Sequence, residues 1–202
     1  MAANPYSPHP GIGMVRSWID TLREKTGRSL EEWLRLIEEQ GPPAEKERRD
    51  WLKSEHGLGT NSAWWLAERS VGKGEEDGDP ELYLQSALGY VDAMFAGREA
   101  LRPVYDALLE LGLSLGPDVK ACPAKTIVPF YRKHVFAQIK PATKTRIDLG
   151  FALRNTPVTG RLVDTGGFAK KDRITHRIPI AGLEDIDGEV RSWLKKAYEM
   201  DA

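Results

Sequence analysis

Residues 126–149 have the sequence TIVPFYRKHVFAQIKPATKTRIDL, in which apolar and polar side chains alternate within three short runs. Such alternation is typical of β-strands that bury one face. We therefore predict three antiparallel strands joined by short turns, at Thr126–Tyr131, Val135–Ile139 and Thr145–Leu149. A similar pattern at Ile174–Ile180 predicts a fourth strand.

The sequence before and after these strands has helical periodicity. It predicts helices at about Pro80–Ala96 and Glu99–Leu115 before the sheet, and at about Asp185–Tyr198 after it. The glycine-rich residues 154–172 are predicted to form a long surface loop. Helices, then strands, then a helix predict an α+β domain over residues 80–202, with an antiparallel sheet covered by helices on one face.

The first third of the chain predicts a small Trp-rich helical domain of about four helices at residues 14–70. It holds five of the six tryptophans, and Ser29 with Glu32 forms a capping box that starts its second helix. Residues 71–79, VGKGEEDGD, combine glycine with acidic side chains and are predicted to be a linker. Residues 1–13 are predicted to be a flexible N-terminus.

Composition limits the function classes. The 202 residues contain no apolar run of the roughly 20 residues that cross a bilayer, and the first residues lack the pattern of a signal peptide. The single cysteine, Cys122, excludes an internal disulfide and a cysteine-based zinc cage. We expect a cytoplasmic protein without membrane, metal or cofactor. Because no catalytic motif is present, a non-enzymatic role is favoured.

Charge is distributed unevenly along the chain. Residues 118–177 contain thirteen Lys and Arg against four Asp, a local net charge of +9 in a chain of formal net charge −1. Such asymmetry creates a local field that favours an anionic partner. Nucleic acid or another polyanion is therefore the leading prediction, and an ordinary solvated sheet face is the alternative.

Strand alternation selects the residues of this predicted surface. It places basic side chains on one sheet face for phosphate contacts, and Phe136 beside them for base stacking. The predicted cationic residues are Lys140, Lys144, Arg146, Arg173 and Arg177. A second anchor is predicted at Gly57 and Gly59, which fit the Gly-hydrophobic-Gly turn of helix-hairpin-helix modules. The alternative there is a plain turn between two packed helices.

Two other functions stay open. Lys125, Thr126 and His176 could line a pocket between the sheet and the helix at Glu99–Leu115, where a small anionic metabolite binds. The alternative for His176 is a buried core residue whose ring nitrogens form hydrogen bonds, because it falls among isoleucines. The third possibility is a protein–protein adaptor that self-associates through opposite charges.

Two stretches resemble known families. Lys25–Trp33 and Trp51–Gly59 resemble the bacterial domain of unknown function 4287, over about residues 14–70. Gly116–Val119, Phe136–Pro141, Thr175–Arg177 and Trp193–Tyr198 resemble domain of unknown function 5655, over Tyr105–Tyr198. The resemblance implies two domains in this order, with an α+β second half, and no assigned activity.

Overall fold

A computed structural model describes residues 4–202 and divides them into two compact units. The N-terminal unit comprises residues 8–83, and the C-terminal unit comprises residues 4–7 together with 84–202. The division falls between Tyr83 and Leu84, after the acidic segment 71–79. That segment contains one turn of 3-10 helix at Glu75–Asp77.

The N-terminal unit is helical. Its helices are α1 Ile12–Thr26, α2 Leu30–Gln40, α3 Glu45–Ser54 and α4 Thr60–Arg69, and the start of α5 (Pro80–Phe95) follows. Ser29 and Glu32 form the expected capping box at the start of α2. Gly27 ends α1 with a φ of 81°, a backbone conformation that glycine adopts without strain.

Aromatic and aliphatic side chains fill the core of this unit. Trp33, Ile37, Leu52 and Leu66 are buried, and Trp18 and Trp51 pack against them. The buried indole of Trp33 donates a 2.8 Å hydrogen bond to Thr26 Oγ1, so its polar atom is satisfied. These tryptophans therefore act in packing.

The C-terminal unit combines helices with a sheet. Its helices are the remainder of α5, α6 Arg102–Leu113 and α7 Gly188–Met200. Its strands are β1 Lys120–Ala121, β2 Val128–Tyr131, β3 Val135–Pro141, β4 Ile147–Phe151, β5 Val163–Asp164 and β6 His176–Ile180. The four predicted strands correspond to β2, β3, β4 and β6, and the predicted α+β fold is confirmed. The two-residue strands β1 and β5 are additional.

Among the described residues, the six strands form one antiparallel sheet in the order β1-β2-β3-β4-β6-β5. Its covered face buries Phe130, Ile139, Leu149 and Ile178, which the strand pairing places on one side of the sheet. We call the other side the open face. It presents Gln138, Lys140, Asp148 and Arg177, which neighbour one another through the strand pairing.

Residues 4–7 pack against the C-terminal unit. Ser7 N–H donates to Ala121 O at 2.9 Å, next to the sheet edge. Tyr6 is buried, and its hydroxyl lies 2.8 Å from that of Tyr105 on α6. Of the predicted flexible N-terminus, residues 1–3 lie outside the described residues, and residues 4–7 are held by these contacts.

In the part of the chain that the structure describes, no helix is both long and apolar enough to cross a bilayer.

Candidate nucleic-acid interface

Asp148 lies at the centre of the open face. Its Oδ1 lies 3.0 Å from Arg146 Nε and accepts a 3.1 Å hydrogen bond from Arg177 Nη1. The Asp148 side chain is only 15% exposed, so the two guanidinium groups cover it. One carboxylate thus accepts a hydrogen bond from Arg177 and forms an ion pair with Arg146, and the two guanidinium groups leave a net positive charge there.

Lys140 and Lys144 extend this positive region. Lys140 is paired in register with Asp148, and Lys144 lies in the turn between β3 and β4. Both are exposed. Within residues 4–202, neither ammonium group forms an ion pair. Their charges are therefore available to a ligand.

Arg173 lies at the border of the open face and is held from two sides. Its Nε donates to Val135 O at 2.7 Å, and its Nη2 pairs with the buried carboxylate of Asp201. Burial alone would raise the pKa of Asp201, but hydrogen bonds from His134 and the positive charge of Arg173 outweigh it and lower that pKa. Arg173 is thus partly neutralised and firmly positioned.

A cavity of about 520 Å³ joins these residues. Its lining includes Lys140, Asp148, Arg173 and Arg177, with Gln138 and Gly150 from the sheet. The structure therefore brings together four of the predicted cationic residues, Lys140, Arg146, Arg173 and Arg177, around Asp148. Lys144 lies in the adjoining turn.

Phe136 does not lie on the open face. It is fully buried, with its ring 5.6 Å from that of Tyr198 on α7 and 6.1 Å from that of Phe130. The pairing of β2 with β3 shifts between Phe130 and Tyr131, which leaves Phe136 as an extra residue. Such a bulge interrupts strict alternation. The expectation of an exposed Phe136 that stacks on a base is therefore wrong.

Alternation also fails at the start of β6. Thr175 N–H donates to Phe151 O at 3.0 Å, although His176 is the residue paired with Phe151. Thr175 is buried, whereas Ile174 contributes to the lining of the open-face cavity. Alternation along Ile174–Ile180 would assign Thr175 to the side of Arg177 and Ile174 to the opposite side. Thr175 and Ile174 do not follow this assignment, whereas Arg177 does.

The residues of the predicted small-anion pocket are dispersed. His176 is only 2% exposed and its Nδ1 lies 2.8 Å from Thr175 Oγ1, as expected for a satisfied core histidine. Lys125 and Thr126 are exposed ahead of β2, and two strands separate β2 from β6. By register, His176 is level with Phe130, about 13 Å along the strands from Thr126. At Gly112, α6 lies so close to the sheet that an added Cβ would overlap the Phe130 ring, which leaves no room for a ligand between them at this point.

Gly57 and Gly59 form a turn between α3 and α4 in the N-terminal unit. Gly57 has a φ of 63°, and Leu58 N–H donates to Leu52 O at 3.1 Å, a pattern typical of a helix C-terminus. Gly59 is the N-cap of α4 and provides no side-chain cap. The turn is explained by helix termination, and its role as an anion anchor stays a prediction.

A second group of basic residues surrounds the loop between β5 and β6. Arg154, Lys171 and Arg173 line a cavity of about 580 Å³, together with the exposed ring of Phe168. Arg154 and Lys171 have φ values of 55° and 60°, in a region that residues other than glycine rarely adopt. This group was not predicted from the sequence, because residues 154–172 lack periodicity. The signal was Phe168 followed by Lys170 and Lys171 in a glycine-rich loop.

Cys122 is fully buried, and burial raises the pKa of its thiol to about 12. The nucleophilic thiolate form is therefore scarce at neutral pH.

The fold and these surfaces define an α+β protein with a basic open sheet face. Residues 91–201, more than half of the chain, match the family described as domain of unknown function (DUF5655), and the chain belongs to this family. Residues 14–68 match domain of unknown function (DUF4287). Both resemblances seen in the sequence are thereby confirmed. Comparisons with curated proteins and with solved structures give no match.

Proposed function

We propose that this protein binds nucleic acid through the open face of its C-terminal sheet. The observation that carries the proposal is the pair of exposed lysines, Lys140 and Lys144, which have no carboxylate partner among residues 4–202 and lie beside the arginines around Asp148. Free ammonium groups next to positioned guanidinium groups suit a row of phosphates.

The distribution of ion pairs supports this proposal. Five of the thirteen basic residues between 118 and 177 pair with carboxylates, and all five are arginines: Arg132, Arg146, Arg161, Arg173 and Arg177. The other eight, seven lysines and Arg154, form no ion pair within the described residues. Much of the excess positive charge is thus not compensated inside the unit.

The test removes the two free lysines. Lys140→Ala/Lys144→Ala should weaken binding of a fluorescent single-stranded oligonucleotide and make the slope of log affinity against log salt shallower by about 1.4, since each lost phosphate contact contributes about 0.7. Fluorescence anisotropy at several salt concentrations measures both quantities. Arg173 is kept, because its removal would leave Asp201 without its guanidinium partner.

The matched control is Lys195→Ala/Lys196→Ala. These exposed lysines lie on α7, which packs against β3 and β4 on the covered face. The change in charge is the same, so an equal loss of affinity in both double variants would refute a specific role for the open face.

A small anionic metabolite is the second candidate ligand. The cavity of about 580 Å³ favours it, because that cavity includes Thr175, which contacts His176, and the cationic Arg154 and Lys171. Binding of a mononucleotide or sugar phosphate by calorimetry, without binding of any oligonucleotide, would support this candidate over the first.

A further inference from the structure

Phe168 is an exposed aromatic ring presented by an ordered loop. Phe168 as a whole residue is 53% exposed. Asp172 N–H donates to Gly167 O at 2.8 Å, and Lys171 N–H donates to Phe168 O at 3.2 Å. The Thr165 hydroxyl also donates hydrogen bonds to the backbone carbonyls of Ile174 and Thr175. The ring is therefore held outward by a closed turn.

The cavity beside Phe168 has one apolar side and one charged side. Ala152, Ala169 and Met200 line it together with the phenyl ring. Its charged side carries three cations, Arg154, Lys171 and Arg173, against the carboxylates of Asp172 and Asp201, so it is positive by one charge. Neither Arg154 nor Lys171 forms an ion pair within residues 4–202. A flat aromatic group attached to a phosphate combines the two chemistries that this lining provides.

This cavity adjoins the cavity on the open face. Asp172 and Arg173 line both the cavity at Phe168 and the cavity around Asp148. A phosphate backbone that follows Lys140 and Arg177 reaches the Phe168 cavity by passing Arg173 and the carboxylate of Asp172.

We infer that the Phe168 cavity accepts an unpaired base, so that the preferred ligand is a single strand rather than a duplex. The base stacks on Phe168, and the adjoining phosphate contacts Lys171 or Arg154. Bases inside a duplex already stack on each other and offer no free face to this ring. The inference rests on the proposed function, because the strand is held by the open face.

The test compares two strands of equal length and charge, one with bases and one composed of abasic sites. Phe168→Ala should weaken binding of the base-containing strand about tenfold and leave binding of the abasic strand unchanged, because stacking requires a base. Phe168→Trp should restore binding. Leu183→Ala, which removes another exposed apolar side chain of the same unit, is the control and should change neither affinity.

The outcomes separate the inference from the proposed function. If the unaltered protein binds both strands equally, prefers a duplex, or loses the same affinity for both strands in Phe168→Ala, the stacking site is refuted while binding by the open face stands. If it binds no strand at low salt, both are refuted. If it binds free mononucleotides but no strand, the cavity is a small-molecule site and the single-strand inference is wrong.

Discussion

Asp201 connects three parts of the C-terminal unit through one carboxylate. It follows α7, accepts hydrogen bonds from the backbone N–H groups of Lys133 and His134 at 3.0 and 2.7 Å, and pairs with Arg173. Its side chain is only 4% exposed. Removing the charge would leave several donors without a strong acceptor in a place that water barely reaches.

We predict that Asp201→Asn destabilises the protein by about 2 to 4 kcal/mol at pH 7, since charge-assisted bonds and a shielded ion pair are lost together. Because the pKa of Asp201 is lowered in the folded protein, its contribution is complete above its unfolded pKa of about 4. The contribution is lost as pH falls through the lower folded pKa. Urea unfolding at pH 7 and at about pH 2.5 measures the change.

The control for this prediction is Asp164→Asn, at an exposed residue of β5. It should change stability by less than about 0.5 kcal/mol. An Asp201→Asn protein as stable as the unaltered one at pH 7, or a difference that grows at acid pH, would contradict the assigned role.

For individual residues, hydrophobic alternation correctly predicted the sheet face of some side chains and not of others. Lys140, Asp148 and Arg177 face the side that alternation assigns, because they lie in regularly paired stretches. Phe136 does not, because it is an extra residue where the pairing of β2 with β3 shifts. Thr175 does not, because it precedes His176, the first paired residue of β6. A bulge depends on the partner strand, so the sequence of one strand does not reveal it.

The close approach of α6 to the sheet depends on a glycine. A Cβ on Gly112 would overlap the ring of Phe130 on β2. Gly89 on α5 is also helical, but apart from its chain neighbours and its own helix backbone no atom lies within 4 Å of its would-be Cβ position. Alanine substitutions at these two glycines therefore measure two effects separately, packing against the sheet at Gly112 and helix propensity at Gly89.

We predict opposite effects for alanine at these positions. Gly112→Ala should destabilise the protein by about 1 to 3 kcal/mol through overpacking, whereas Gly89→Ala should stabilise it by about 0.5 to 1 kcal/mol through helix propensity. Urea unfolding monitored by tryptophan fluorescence provides both values. Stabilisation by both substitutions would show that α6 can move away from Phe130 without cost.

Most elements were predictable from the sequence, and the shortest were not. The capping box at Ser29 correctly predicted the start of α2. The two-residue strands β1 and β5 contain too few residues for a periodic pattern. The Phe168 cavity was missed for a related reason, since its loop is ordered by hydrogen bonds between residues that show no regular spacing.

At the scale of the whole molecule, the near-neutral total charge conceals a positive C-terminal sheet. Six acidic groups close to this region pair with its arginines and with none of its lysines among the described residues: Asp118, Asp148, Asp185, Asp187, Glu189 and Asp201. The lysines of the open face remain exposed. The uneven charge seen in the sequence thus becomes a surface property of one unit.

The salt dependence of single-strand binding by the complete chain tests the central claim most directly. If Lys140, Lys144, Arg146 and Arg177 contact phosphates, affinity should fall steeply with salt, with a slope of about −2 to −3 in log affinity against log salt. Anisotropy titrations between about 50 and 200 mM salt cover the range in which this slope is measurable. An affinity that does not change with salt, or no binding at the lowest salt, would contradict nucleic-acid binding by the open face.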